Sequence, residues 1–245
     1  MRLHITGASG YLGSELARRR PDASTERVEI RDEEAVRVLL ERVRPEVVLH
    51  TAYRQDGPEA WAVTVDGAEN IARAAARVGA RLLQLSTDVV FDGRKGRPYV
   101  EEDPPSPVTE YGRAKAAAEA RVAAAHPEVL LVRTSLIYGG TTPSKHERAV
   151  DDPSSAFYTN ERRSPVQVGD LAEALLELAE RPVSGPLHVA GADAVSRAEF
   201  AALIARRAVA TAVAPPDRPL DCSLDSSLAG ALLRTRLRGV REVLA

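Results

Sequence analysis

Short, uniformly apolar runs alternate with longer amphipathic stretches along the chain. The apolar runs predict five strands, at Leu3–Thr6, Val47–Ala52, Leu82–Ser86, Val129–Thr134 and Leu187–Ala190. Because these runs have no polar face, they are typical of parallel strands that helices cover on both sides. The longer stretches predict helices at Leu12–Arg19, Glu33–Val43, Glu59–Val78, Tyr111–Ala124, Asp170–Glu180 and Arg197–Ala208. This alternation indicates repeated βα units around a parallel sheet.

Three segments depart from the alternation. A further strand is expected near Val28–Ile30, although the stretch before it is short and polar. Asp92–Pro107 contains four prolines and predicts a long loop, and Gly139–Pro165 is polar and irregular. Loops of this length in a compact chain are usually functional or mobile.

Composition narrows the class of protein. A chain of 245 residues, 44% hydrophobic and 28% charged, can form one large α/β domain or a domain with a small appendage. Its net charge of −2 gives no electrostatic signature of nucleic-acid or anionic-membrane binding. No apolar run approaches the roughly 18 residues of a membrane span, and the first strand is too short for a signal sequence. The single cysteine, Cys222, excludes an internal disulfide and suits a reducing cytoplasm. It is expected to be a buried or semi-buried small residue without a chemical role.

The first strand leads directly into a glycine-rich turn and then into a helix. Glycines at positions 7, 10 and 13 permit a tight turn, close approach of the backbone to a pyrophosphate, and close packing of helix on strand. The phosphates would bind the free N–H groups of the helix N-terminus. The sequence therefore predicts a dinucleotide site, with a turn that binds no ligand as the alternative. No Gly-Lys-Ser/Thr follows, which argues against a nucleoside-triphosphate loop.

A tyrosine and a lysine four residues apart open the helix that follows the long loop. Tyr111 and Lys115 would share one face of that helix, where the ammonium lowers the pKa of the phenol from its usual value of ~10. Tyr111 then becomes a proton donor or acceptor near neutral pH. Lysines are rare in this chain, which has three, so the pair is informative. Thr87 follows a strand at the sheet edge where ligands bind, and its hydroxyl could hold a substrate oxygen or only cap a turn.

Cofactor preference is divided between two features. An acidic residue about 20 positions after the glycines is expected for NAD, and Glu29 or Asp32 could serve. Arg18, Arg19 and Arg20 could instead contact the 2′-phosphate of NADP, or could simply complement the C-terminal end of the helix dipole.

The glycine spacing resembles that of the extended short-chain dehydrogenase/reductases. The block Ser86-Thr87-Asp88-Val89-Val90-Phe91-Asp92-Gly93, followed by Tyr111-Gly112 and Lys115, is similar to the dTDP-4-dehydrorhamnose reductase family, as are Arg133–Gly139 and Arg218–Asp225. The resemblance implies an α/β fold, a Rossmann-type doubly wound parallel sheet with a small C-terminal substrate-binding portion. Residues 1–138, with 166–190 returning to the sheet, would bind the dinucleotide. Residues 139–165 and 191–245 would bind substrate.

The same resemblance implies a site and its ligands. Thr87, Tyr111 and Lys115 would be catalytic, and NADP or NAD would be the cofactor. The cofactor-binding residues would be Gly7, Ser9, Gly10, Tyr11, Leu12, Gly13, Glu29, Ile30, Thr51, Ala52, Tyr53, Tyr111 and Lys115. The expected activity is NAD(P)H-dependent reduction of a keto group on a nucleotide-linked deoxysugar, by a cytoplasmic enzyme compatible with a homodimer and without nucleic-acid or membrane partners.

Several positions depart from the family pattern. Val89 and Leu136 replace aromatic residues, Thr64 replaces an asparagine, and the segment Gly139–Pro165 is shortened. A non-catalytic dinucleotide-binding regulatory subunit is therefore the alternative function. The five histidines, at 4, 50, 126, 146 and 188, have no metal-binding spacing and are expected to be core or surface residues, so no metal site is predicted.

Overall fold

The computed structural model describes all 245 residues, and none of its helices is both long and apolar enough to cross a membrane. Its contacts divide the chain into two units. Unit 1 comprises Met1–Ser86, Glu110–Val132 and Leu175–Pro186. Unit 2 comprises Thr87–Thr109, Arg133–Ala174 and Leu187–Ala245. Each unit contains hydrophobic clusters of its own.

The regular elements follow one another in α/β alternation and then become short. The strands are β1 Leu3–Thr6, β2 Val47–His50, β3 Arg81–Thr87, β4 Leu130–Thr134, β5 Ile137–Tyr138, β6 Phe157–Tyr158, β7 Arg162–Arg163, β8 Val166–Gln167, β9 Gly185–His188, β10 Val195–Ser196 and β11 Thr211–Ala212. The α-helices are α1 Tyr11–Arg19, α2 Glu33–Val43, α3 Gly67–Arg77, α4 Glu110–Ala125, α5 Lys145–Arg148, α6 Val168–Ala179, α7 Arg197–Ala205, α8 Ser227–Leu232 and α9 Val240–Leu244.

The central sheet has five strands in the order β1-β2-β3-β4-β9. β1 and β2 run parallel with Leu3 opposite Val47, and β2 and β3 run parallel with Val47 opposite Arg81. All four residues of β1 and of β2 are buried, as expected for strands with two covered faces. The five predicted strands are thus all present, each within a few residues of its predicted bounds.

The further strand predicted near Val28–Ile30 is wrong. Only Ser24 pairs with the outer edge of β1: its N–H donates to Leu3 O at 2.8 Å, and its carbonyl accepts from Ile5 N at 2.9 Å. The stretch that follows, residues 25–27, is polar and exposed, and it adds no further pairs to β1. Ile30 is buried, but it packs against Gly67 at the start of α3 rather than in the sheet.

The Ser24 pairing still makes the sheet doubly wound. β1 lies between Ser24 on one side and β2 on the other, so the chain order reverses there. Since βαβ crossovers are almost always right-handed, α1 and α2 cover opposite faces. The glycine turn that follows β1 therefore lies at the switch point, where open α/β sheets bind ligands.

Helices α2, α3 and α4 pack side by side in unit 1. The N-cap of α2 is Asp32, whose carboxylate accepts a hydrogen bond from the N–H of Ala35 at 3.0 Å. Its C-cap is Arg44, which has left-handed backbone (φ 44°). α3 presents a small apolar face in which Ile71, Ala72 and Ala75 are fully buried. Each large aliphatic side chain buried here stabilises the fold by roughly 1.5–3 kcal/mol.

The predicted helix Glu59–Val78 is present in two parts. A π-helical stretch, Ala62–Asp66, precedes α3, and the segment ends at Gly79, which has φ 69°. Such π-helical insertions are often found at functional sites. This one contains Thr64, whose role is described below.

Unit 2 is built from short elements. The segment Gly139–Pro165, predicted to be irregular, contains α5, a 3-10 turn at Ala149–Asp151, β6 and β7, so that prediction is partly wrong. Two-residue strands are too short to produce a periodic pattern. α5 is held by a capping box, in which Ser144 and Glu147 bond each other's backbone N–H groups. Tyr138, Val195, Phe200 and Val240 form a hydrophobic cluster in this unit.

Candidate active site

The glycine turn has the geometry that a nucleotide needs. Gly7 has φ 68°, and a Cβ at this position would lie 2.7 Å from Ala52 N. A Cβ at Gly13 would lie 2.1 Å from Gly7 O. Only glycine fits either position, and the result is that bare backbone lines the turn.

The N-terminus of α1 opens on this turn. Gly10 is its N-cap, no side chain caps the helix, and no acidic residue lies in its first turn. Its first N–H groups and the positive end of the dipole therefore suit an anion. The residues present fit the pyrophosphate of a dinucleotide.

The arginines at the other end of α1 are engaged with carboxylates. Arg18 and Arg19 donate to Glu15 at 2.7 and 2.6 Å, and Arg20 donates to Asp22 at 2.8 Å. This pairing favours the helix-end interpretation of the three arginines over a 2′-phosphate contact.

The segment after β2 connects the glycine turn to the Tyr–Lys helix. Thr51 donates to Thr6 O at 2.7 Å, and Ala52 contacts Gly7. One residue further on, the ring of Tyr53 lies 5.7 Å from that of Tyr111 and, by its centroid, 5.7 Å from Lys115 Nζ. The residues predicted to bind the dinucleotide thus follow one another through unit 1 from the turn to the predicted catalytic pair.

Thr64 holds this segment in place. Its buried hydroxyl donates to Arg54 O at 2.8 Å and accepts from Arg54 N at 3.0 Å. A hydroxyl at position 64 can therefore anchor the loop that carries Tyr53, although the family pattern has an asparagine there.

Lys115 is buried, with 4% of its surface exposed. Its Nζ donates to Leu85 O, in β3, at 2.5 Å. Burial lowers the pKa of Lys115 to about 8, and the charge of Glu119 opposes that shift. On β2, burial together with the Lys115 charge lowers the pKa of His50 to about 3, so His50 is neutral near pH 7.

Glu119 is a site residue that the sequence reasoning missed. It lies one helical turn beyond Lys115, is itself buried, and accepts a hydrogen bond from Ser86 Oγ. The signal was present in the sequence, since Tyr111, Lys115 and Glu119 follow at intervals of four and so share one helix face.

Thr87 ends β3 and begins unit 2, as the sequence predicted for a residue at the carboxyl edge of a strand. Its hydroxyl lies 3.3 Å from Asp88 Oδ1 and 3.4 Å from the N–H of Val89. Asp88 is buried; burial raises its pKa, and the Arg163 guanidinium at 3.6 Å opposes that shift. Ser135 donates to the other Asp88 oxygen at 2.6 Å.

The remaining sequence-predicted residues take varied positions. Glu29 is exposed and bonded to Arg31 at 2.8 Å, which lowers the pKa of Glu29 to about 2. Ile30 accepts from Asn70 at 3.0 Å through its carbonyl. Leu136 is partly buried and packs against the unit 2 cluster around Tyr138.

The histidines and the single cysteine do not come together as metal ligands. The structure contains no cluster of three or more His, Cys, Asp or Glu side chains able to hold a metal ion. Cys222 is fully buried, as predicted. His4, His50, His126 and His188 are buried as well, which agrees with their interpretation as core residues.

Comparison with known proteins decides the family. A sequence model of the RmlD substrate binding domain family matches residues 1–240. The chain belongs to this family. The match spans almost the whole chain and confirms the resemblance seen in the sequence.

Relatives of the RmlD family agree with this assignment. The dTDP-4-dehydrorhamnose reductase of Mycobacterium tuberculosis is 40% identical over 227 residues, covering 80% of this chain and 72% of that protein. The crystal structure of dTDP-4-dehydrorhamnose reductase from Bacillus anthracis in complex with NADP matches with a TM-score of 0.88 at 25% identity, covering 99% of this chain and 96% of the other. The match confirms the doubly wound α/β fold.

One further relative bears a different kind of name. Methionine adenosyltransferase 2 subunit beta of Rattus norvegicus is 29% identical over 238 residues, covering 83% of this chain and 71% of that protein. This chain is therefore similar to a protein named as a subunit of another enzyme, beside those named as reductases.

Proposed function

We propose that this chain is an NAD(P)H-dependent reductase of a keto group on a nucleotide-linked deoxysugar, of the dTDP-4-dehydrorhamnose reductase type. The observation that carries the proposal is the grouping of Lys115, Tyr53 and Tyr111 next to the segment that contacts the glycine turn. A dinucleotide with its pyrophosphate on the N-terminus of α1 can follow that segment to the Tyr–Lys pair. The names of the reductase relatives support the same activity and substrate class.

Tyr111, Lys115 and Thr87 then have distinct roles in the reaction. A dinucleotide bound along this segment would supply a hydride to the ketone carbon. Tyr111 gives its phenolic proton to the ketone oxygen, so that the ketone becomes an alcohol. Lys115, held by Leu85 O, favours the phenolate that remains and holds the nicotinamide ribose. Thr87 donates a hydrogen bond to the same substrate oxygen as negative charge develops there.

The cofactor and substrate regions are proposed as the sequence indicates. Residues 1–138 with 166–190 bind the dinucleotide, through Gly7, Ser9, Gly10, Tyr11, Leu12, Gly13, Glu29, Ile30, Thr51, Ala52, Tyr53, Tyr111 and Lys115. Residues 139–165 and 191–245 bind the sugar nucleotide. A cytoplasmic location and a homodimer stay predictions, and light scattering of the purified protein tests the second.

The activity is tested by following oxidation of NADPH and of NADH with a panel of keto-sugar nucleotides. We expect dTDP-4-dehydrorhamnose, or a close 4-keto analogue, to support turnover that Tyr111→Phe lowers by ~10²–10⁴-fold. Failure of wild type to bind either dinucleotide at millimolar concentration would refute the proposal.

A regulatory subunit is the second candidate, favoured by the relative named methionine adenosyltransferase 2 subunit beta. Tight dinucleotide binding with no turnover across the whole panel would support it over the reductase. The presence of Thr87, Tyr111 and Lys115 together argues for the enzyme, because a binding protein has no need of a proton donor with its ammonium partner.

A further inference from the structure

Unit 2 contains a partly buried cluster of charged side chains in which guanidinium groups outnumber the carboxylates that pair with them. We call it the arginine cluster: Arg163, Arg197 and Arg218, with the carboxylates of Asp88 and Glu161. Both carboxylates are buried, and so is Arg163. Within ion-pair distance, the cluster's three guanidinium groups have only these two carboxylates, while the exposed Asp217 acts on Arg218 at longer range. Buried charges are costly unless they are paired.

The two carboxylates are already engaged by two of the arginines. Arg163 lies 3.6 Å from Asp88 and 3.3 Å from Glu161. Arg218 lies 2.8 Å from Glu161. These contacts leave Arg197 as the surplus cation of the cluster.

Arg197 has no carboxylate within ion-pair distance. Burial lowers its pKa, although a guanidinium stays charged at any ordinary pH. The one side chain bonded to its guanidinium is His146, whose Nδ1 lies 3.4 Å from Arg197 Nη1. Burial lowers the pKa of His146 to about 3, so His146 is neutral near pH 7 and supplies no negative charge.

The pair is held in place by the surrounding elements of unit 2. Arg197 is the first residue of α7, and its backbone N–H donates to Glu161 O at 2.8 Å. The His146 ring lies 6.5 Å from that of Phe200 in the same helix. Because Nδ1 faces a guanidinium, which can only donate, the ring proton lies on Nε2, and that nitrogen is a second donor. Both side chains thus have donor capacity that no group in the chain uses.

The cluster is not sealed from solvent. Arg218 is 43% exposed, and its guanidinium lies over the ring of Tyr158, 5.0 Å from the centroid. Arg197 and His146 are each partly exposed. An anion can therefore reach the surplus charge.

We propose that Arg197 and His146 form a subsite for a phosphate group, which in the proposed function is part of the diphosphate of the sugar nucleotide. Phosphate oxygens would accept from the Arg197 guanidinium and from His146 Nε2, supplying the negative charge that the arginine cluster lacks. The identity of the ligand as a sugar nucleotide rests on the proposed function. The anion site itself rests on the unbalanced charges alone.

The test measures binding of dTDP, inorganic pyrophosphate and thymidine by calorimetry, without dinucleotide. We expect wild type to bind dTDP and pyrophosphate but thymidine at least tenfold more weakly than dTDP. Arg197→Gln should lower the affinity for dTDP and pyrophosphate by about 10- to 100-fold, as loss of a charge-assisted bond does. The affinity of Arg197→Lys for both ligands should lie between that of wild type and that of Arg197→Gln. Arg206→Gln, at the exposed end of the same helix, is the matched control and should bind as wild type does.

A thermal-stability measurement separates ligand binding from a structural role. Since Arg197 has no ionic partner to lose, Arg197→Gln should melt at or above the wild-type temperature, and pyrophosphate should raise the melting temperature of wild type only. A lower melting temperature of the variant with unchanged dTDP affinity would overturn the inference, as would wild type that binds neither dTDP nor pyrophosphate. NADPH affinity and turnover report separately on the proposed function, because Arg197→Gln is expected to leave NADPH binding unchanged.

Discussion

Replacing Glu119 with glutamine should shift the pH dependence of turnover toward acid. Lys115 faces His50 from β2, Tyr53 from the following loop, the Leu85 carbonyl from β3, and Tyr111 and Glu119 from its own helix. Among these groups, Glu119 is the one whose charge raises the pKa of Lys115. Glu119→Gln keeps the size of the side chain and removes that charge.

The size of the expected loss of activity follows from the pKa of Lys115, which is about 8 in the intact protein. At pH 7 about 90% of Lys115 is then charged. An opposite charge close to a group usually shifts its pKa by about 1–3, so the variant value should lie at about 5–7. The charged fraction at pH 7 falls to about 1–50%, and kcat/KM should fall by about 2- to 100-fold.

The assay is a profile of kcat/KM from pH 5 to 9, in which the alkaline limb reports Lys115 in the free enzyme. We expect that limb near pH 8 in wild type and ~1–3 pH units lower in Glu119→Gln. Lowering the pH should then restore the activity of the variant. Ser86→Ala, which removes only a hydrogen bond to Glu119, should shift the limb less. The exposed Glu128→Gln serves as control. An equal loss of activity at every pH, with the limb unmoved, would mean that Glu119 only supports the fold.

Three further outcomes are expected. Tyr111→Phe should keep dinucleotide affinity near wild type while turnover falls by the ~10²–10⁴-fold of a lost general acid, and full activity would remove Tyr111 from the mechanism. Gly13→Ala should abolish tight dinucleotide binding because its Cβ would lie 2.1 Å from Gly7 O, whereas Gly230→Ala, with nothing within 4 Å, should bind normally in the same titration. Because the folded-state pKa of His50 is about 3 against 6.5 unfolded, its stabilising contribution is complete above pH 6.5 and declines as pH falls toward 3. Between pH 6.5 and 5 the free energy of unfolding should therefore fall by about 2 kcal/mol on account of His50. Chemical denaturation of His50→Gln should show a free energy of unfolding that changes correspondingly less with pH.

Local spacing made much of unit 1 predictable. The glycines at 7, 10 and 13 determine the turn through the conformations that glycine alone adopts, and the interval of four between Tyr111 and Lys115 places both on one face of α4. The five strands of the central sheet were also predictable, because each is a short, largely apolar run that carries its own signal.

Features that depend on distant residues were not predictable from the pattern. The missing strand is a case in point: nothing near Ser24 says that one residue, rather than five, pairs with β1. The bond between Arg197 and His146 joins residues 51 positions apart in the chain. The two-residue strands of unit 2 exist only because partners from elsewhere in the sequence lie beside them, as β10 does for β7.

The single pairing at Ser24 has a consequence for engineering. Exchanging a normal strand disturbs a ladder of hydrogen bonds, but the segment between Arg20 and Ile30 is mostly exposed and attached to the sheet through one residue. Its length and composition can therefore change at little energetic expense, provided that one backbone amide and carbonyl still reach β1. Since the segment pairs with the strand that leads into the glycine turn, residues introduced into it would lie on a part of unit 1 that tolerates change.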